Sequence, residues 1–237
     1  MRQKINITTM GHQCILIQWE KEDSNNLFET LEFLKREYPE EILEMVPTYR
    51  ELAIYLHLKS DLSSLIEKFK IHLPIEEKNT PFQKAPIYRL PVCYDTEKGL
   101  DLKTMAKAKN CSIKELIKLH TEQTYRIHFL GFLPGFPYLS GLNKKLHQPR
   151  LRQPRNMVPA GSVGIAGKQT GVYPHKSPGG WNIIGRTPIQ LFNIEARPPS
   201  VLQASYRLCF HAIDAVEFNA IQTAVQHNEY QIMVEYD

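Results

Sequence analysis

FLGFLPGFPYLSGL (Phe129–Leu142), PRLRQPRNMVPAGSVGIAGKQTGVYP (Pro149–Pro174) and SPGGWNIIGRTPIQLF (Ser177–Phe192) lie in one stretch where a glycine or proline falls every few residues among short apolar runs. Such punctuation specifies turns and short strands and leaves no room for a long helix. Many short strands with regular turn signals predict a closed or nearly closed β-barrel. Charge sets the same stretch apart. Between Glu122 and Glu195 there is no Asp or Glu over 72 residues, yet nine Lys and Arg occur there, from Arg126 to Arg186. The whole chain carries 29 basic and 25 acidic residues, so removing these nine leaves 20 basic against 25 acidic. The modest net +4 therefore hides a block of +9 in a remainder of −5.

Upstream of this block the period changes. Residues 14–19 read as a short apolar strand, and Leu27, Leu31, Leu34 and Tyr38 fall at helical spacing, with Ser24 or Asn25 available as a cap. Residues 42–46 and 51–58 read as strands, the second with Leu52, Ile54, Leu56 and Leu58 on one face. Asp61 then opens a short amphipathic helix through Phe69. If Ile87–Tyr94 supplies a further strand, the order is β-α-β-β-α-β, a ferredoxin-like unit. Residues 1–80 are therefore expected to form a small α/β domain, with the proline-bearing segment Asn79–Pro86 as linker and 87–237 as a barrel domain with leading helices. Those helices are marked by Leu102, Met105 and Ala106 and by a Ser112/Glu115 capping box. Downstream, Leu208–Phe210 resumes a strand, Asp214 with Glu217 caps a helix, and Tyr230–Tyr236 offers a last strand to close the domain.

At 237 residues the chain can bury a sizeable core, and 42% hydrophobic with 23% charged residues is ordinary for a globular protein. Apolar runs stay well short of a membrane span, and the N-terminus has no secretory pattern. Cys14, Cys93, Cys111 and Cys209 are far apart, as expected of reduced thiols in a cytoplasmic protein rather than a disulfide frame or zinc site.

The central block has no carboxylates with which to build a metal cage or an acid/base pair by itself. Its possible bases include His128, His147 and His175, each of which reads as readily as a surface or hydrogen-bonded turn residue. His175 stands out because it precedes Ser177-Pro178-Gly179-Gly180 in a segment that must be a loop. That loop can aim consecutive N–H groups at an anion or form a plain hairpin turn capped by Trp181. GSVGIAGKQT fails as a phosphate-binding loop, since Ser162 stands at the first glycine position and Gln169 follows Lys168. It fits a strand with Val163 and Ile165 on one face and Gly164 and Ala166 on the other, the small face fitting either a tight barrel or a ligand. Phe132–Tyr138 reads as a turn held between aromatics packing in the core. Without neighbouring carboxylates, Arg150, Arg155, Lys168 and Arg186 point to an anionic ligand or an acidic partner, since guanidinium forks match carboxylate and phosphate. Nucleic acid is disfavoured, because no recognition motif accompanies the charge.

GFLPGFPYLSGL (131–142), VPAGSVGIAGKQTGVYP (158–174) and SPGGWNIIGRTP (177–188) closely resemble the Kip-inhibitor family, also called allophanate hydrolase subunit 1 or the 5-oxoprolinase B-subunit family. EMVPTYRELAIYL (44–56), IKLHTEQTYRIHFLGFLPGFPYL (117–139) and RPPSVLQASYRLCF (197–210) extend the resemblance over nearly the whole chain. It departs at Ala204-Ser205, where the family usually has Pro-Gly, and over the last twenty or so residues. The resemblance implies an α+β protein with a ferredoxin-like N-terminal domain and a cyclophilin-like β-barrel. It further implies a cytoplasmic complex with the A and C subunits that opens the lactam of 5-oxo-L-proline to L-glutamate with ATP hydrolysis. One family member inhibits a sensor histidine kinase, which makes a regulatory binding module the alternative. On the first reading, 5-oxoproline and ATP are the ligands, and a partner subunit holds Mg²⁺. Arg150, Arg155, Lys168 and Arg186 then become candidate anion clamps. The Gly179 and Gly180 amides would bind a phosphate or carboxylate oxygen, Gln169, Thr170, Tyr173 and Ser177 would orient substrate, and His175 would carry a proton.

Overall fold

The structure, a computed structural model, describes residues 4–21, 24–73 and 85–236. Two compact units divide the chain, Met1–Gln83 and Lys84–Asp237. Residues 79–84 of the expected linker lie outside the described residues.

In the first unit the elements are β1 (Ile5–Thr9), β2 (Cys14–Trp19), α1 (Ser24–Glu37), β3 (Ile42–Pro47), β4 (Glu51–Leu56) and α2 (Leu62–His72). The four strands form one antiparallel sheet in the order β1-β2-β4-β3. Register puts Ile15 opposite Ile54 and Ile17 opposite Leu52, so alternate residues of β2 and β4 share one buried face. Leu27, Leu31 and Leu34 of α1 and Leu65 and Phe69 of α2 are buried as well, and Tyr38 meets Phe69 edge to face at 5.2 Å. Each such side chain contributes roughly 1.5–3 kcal/mol on leaving water. Asp61 caps α2, its Oδ1 accepting from the N–H groups of Ser63 and Ser64. The layer is ferredoxin-like, with one difference from the sequence reading. Ile87–Tyr94 does not complete this sheet; the edge beside β2 is filled by β1 from the front of the chain.

The second unit comprises β5 (Ile87–Cys93), α3 (Leu102–Ala108), α4 (Ile113–Thr121), β6 (Thr124–Leu130), β7 (Pro137–Ser140), β8 (Arg155–Val158), β9 (Ser162–Ala166), β10 (Gln169–Val172), β11 (Ser177–Gly179), β12 (Asn182–Arg186), β13 (Arg207–Ile213), α5 (Ala215–Gln226) and β14 (Met233–Glu235). Seven strands run in the order β12-β9-β10-β7-β6-β13-β5, and the Arg186–Cys93 pairing of β12 with β5 closes them into a barrel. β5 and β13 run parallel over seven residue pairs, while the other ring pairings are antiparallel. The C-terminal strand does not close the domain, as its sequence suggested. β14 adds to the Ile87–Arg89 part of β5, outside the ring. Leu90, Ile127, Leu139, Val163, Ile165 and Leu208 fill the interior. Ser112 accepts from the Glu115 N–H and Asp214 from the Glu217 N–H, so both predicted caps form.

A second apolar cluster sits against the small face of β9. Phe136, Val158, Ala166, Tyr173, Trp181 and Ile183 are buried together there, beneath a two-stranded ribbon of β8 and β11. A Cβ on Gly164 would lie 3.1 Å from both Ile183 and Trp181. The small residues of β9 therefore serve packing and do not line an open ligand surface.

Candidate functional site

The structure distributes the predicted site residues over five environments. Thr170 is fully buried inside the barrel. Its hydroxyl donates to the Gly164 carbonyl at 3.1 Å, which leaves its oxygen to accept from His120 Nε2 at 2.9 Å. His120 Nδ1 must then accept from the Tyr94 hydroxyl at 2.8 Å. Burial holds this imidazole neutral, bringing its pKa down to about 3, and its ring stacks on Phe210 at 4.5 Å. Each of these buried polar groups has a protein partner, so Thr170 braces the core and does not orient substrate.

Arg155 is also committed. Its Nη2 meets Asp101 Oδ1 at 2.6 Å, and Asp101 Oδ2 accepts from the Ile183 N–H at 2.7 Å. A carboxylate from outside the basic block thus neutralises Arg155 and ties the start of α3 to β8 and β12. Arg150 is exposed and acts electrostatically on the Tyr138 and Tyr173 phenols, opposing the upward push of burial on both. Gly179 lies under Tyr173, whose ring end would have to shift to admit a Cβ there, so close approach favours glycine. Gly179 and Gly180 do not adopt positive φ, and Ser177–Gly179 pairs as a strand with β8, so the expected anion nest does not form. Ser177 is buried, with its hydroxyl on the Pro178 carbonyl. Lys168 is exposed in the two-residue turn between β9 and β10, and half-buried Gln169 begins β10.

His175 and Arg186 come together in a cleft of about 270 Å³, with α5 along one wall. The turn at Gly161 makes that cleft possible. Gly161 has φ +79°, and its N–H donates to the Tyr173 carbonyl at 2.7 Å. The Thr187 carbonyl occupies the space that a Cβ would need, so another residue could not sit this close to the end of β12. The turn presents the Ala160 carbonyl to Arg186 Nε at 2.7 Å, which anchors one edge of the guanidinium. Gln222 and Gln226, four residues apart on α5, also line the cleft, as do Pro188 and Gln190. No carboxylate occurs among the described lining residues, so the donor set suits an anion or an amide and does not suit Mg²⁺.

Residues 5–202 match the family described as carboxyltransferase domain, subdomain C and D. The chain belongs to that family. It is 35% identical over 237 residues to the 5-oxoprolinase B subunit of Bacillus subtilis (strain 168), covering 93% of this chain and 98% of the relative. The Haemophilus influenzae 5-oxoprolinase B subunit is 41% identical over 165 residues, 70% of this chain and 76% of that one. Among solved structures, the K. lactis urea amidolyase aligns with all of this chain and 16% of its own, at a TM-score of 0.76 and 18% identity, which speaks for the fold alone.

In this carboxyltransferase-family chain the residues missed from sequence are those that act from outside the basic block. Asp101 lies 54 positions before its partner Arg155, and nothing local connects them. Gln222 and Gln226 carried a usable signal, since an i,i+4 pair shares one helix face. His120 ends α4 within an apolar pattern, and only the closed barrel reveals its partners.

Proposed function

We propose that this chain is the B subunit of a 5-oxoprolinase complex, which opens the lactam of 5-oxo-L-proline to L-glutamate with ATP hydrolysis and needs partner subunits A and C to do so. The near end-to-end match to the Bacillus subtilis protein of that name carries the reading. The site chemistry agrees with it. A lactam resists attack until its amide oxygen is derivatised so that the ring carbon becomes electrophilic. Transfer of the γ-phosphoryl group to that oxygen, with ADP departing, achieves this. Water then adds to the ring carbon, the C–N bond breaks as the nitrogen takes a proton, and the acyl phosphate left on the side chain is hydrolysed by a second water to glutamate and phosphate. The full cycle consumes two waters and releases glutamate, ADP and phosphate.

On this reading the chain's own residues bind and orient. Arg186, fixed by the Ala160 carbonyl, offers its remaining N–H groups to the substrate carboxylate, and His175 stands beside it to move a proton. Among the described residues no group of three or more His, Cys, Asp or Glu comes together to hold a metal.

Reconstitution with the A and C subunits tests this. The purified chain alone should show no 5-oxoproline-dependent ATP hydrolysis, and the three-subunit mixture should release glutamate. Arg186→Ala should lower kcat/KM for 5-oxoproline by roughly 10- to 100-fold, the loss of a charge-assisted contact. Full turnover by the single chain would overturn the partner requirement.

A further inference from the structure

We propose that the cleft between β12 and α5 is the lactam-recognition subsite, that Gln222 and Gln226 read the ring amide there, and that the nucleotide binds elsewhere. The proposal rests on the reading of the chain as part of a 5-oxoprolinase and assigns residues and ligand within it. Volume speaks first. At about 270 Å³ the cleft falls just below the ~300–1,000 Å³ of drug-sized ligand pockets, a size that matches one small ring better than a nucleoside triphosphate.

Polarity speaks second. A small lactam acid presents two groups to recognise, an anionic carboxylate and an amide locked cis by its ring. Arg186 is the described lining residue with a permanent positive charge, and its Nε is already held by the Ala160 carbonyl. Its outer N–H groups are thus pre-aimed for a carboxylate. The cis amide places its N–H and C=O side by side. A glutamine carboxamide carries the complementary acceptor and donor and can pair with both at once. Gln222 is half-buried in the wall, while Gln226, one helical turn further along α5, is more exposed. Pro174, Pro188, Ile189 and Val225 supply apolar surface for the ring methylenes. Glutamate, the opened product, has no cis amide and carries a second carboxylate and an ammonium, so the same wall favours its release.

Steady-state kinetics of the reconstituted complex decides the matter. Gln222→Ala should raise KM for 5-oxoproline about 10-fold and leave KM for ATP unchanged, with Gln226→Ala moving the same constant less. Gln222→Glu, which replaces the donor by a charge facing the substrate carboxylate, should raise it further. Unfolding temperatures close to wild type would show that the variants fold. Unchanged KM for 5-oxoproline in the Gln222 variants, or a shift in KM for ATP instead, would overturn the subsite while the complex's activity upheld the broader reading. Absence of 5-oxoproline-dependent hydrolysis in the wild-type complex would overturn that reading and this subsite with it, unless the chain alone bound 5-oxo-L-proline in calorimetry and lost it in Arg186→Ala and Gln222→Ala. Retention of such binding in both variants would overturn the subsite.

Discussion

His120 and His128 show what burial does to a titratable group. Burial brings His120 down to about 3, and burial with the charge of Arg126 brings His128 down to about 4. Both values lie below the ordinary 6.5, so as pH falls through 6.5 the unfolded chain takes up protons that the native chain refuses. The stability they confer is therefore complete above pH 6.5 and drains as pH falls toward 4, by up to about 1.4 kcal/mol per pH unit for each ring. Urea titrations at pH 7.5 and 5.0 should show a lower midpoint at 5.0, and His120→Gln should shrink that drop; equal midpoints for wild type would contradict it. Ser205 is a strained position, a non-glycine residue at φ +73°. Ser205→Gly should stabilise the chain by up to about 1 kcal/mol, seen as a rise in Tm of a few degrees.

Between elements, Asp101 acts as a clamp. It stands at the N-cap of α3 but makes no capping bond, because Arg155 on β8 and the Ile183 N–H on β12 take up its two oxygens. Asp101→Ala would strand a half-buried guanidinium and a buried N–H, so a loss of about 2–4 kcal/mol is expected in chemical denaturation. A loss below about 0.5 kcal/mol would show that the clamp is slack. The helices were legible in sequence, because their apolar spacing is local and, at α2, α4 and α5, so are their caps. The strand Ile87–Cys93 was legible as a strand but left open between the two sheets: it is buried along almost its whole length, so no alternation betrays which one it joins. Ile5–Thr9 was missed for the opposite reason, being a short polar edge strand with little to bury.

Across the molecule, the basic block was visible as composition, yet its residues do not converge. Arg155 is neutralised, Arg150 lies by the Tyr138–Tyr173 aromatics, Lys168 projects at a hairpin tip, and His175 and Arg186 share the cleft. Composition reports charge but not direction, and the turn at Gly161 with the return of α5 decides which charges face a cavity. The parallel pairing of β5 with β13 joins the first and nearly the last strand of the second unit, with about 120 residues threaded between them. A nascent chain emerging from the ribosome therefore cannot seal its ring until synthesis is almost finished. Until then β5 and β6 offer raw edges to any passing strand, which makes this a slow-maturing fold whose early life calls for chaperone cover.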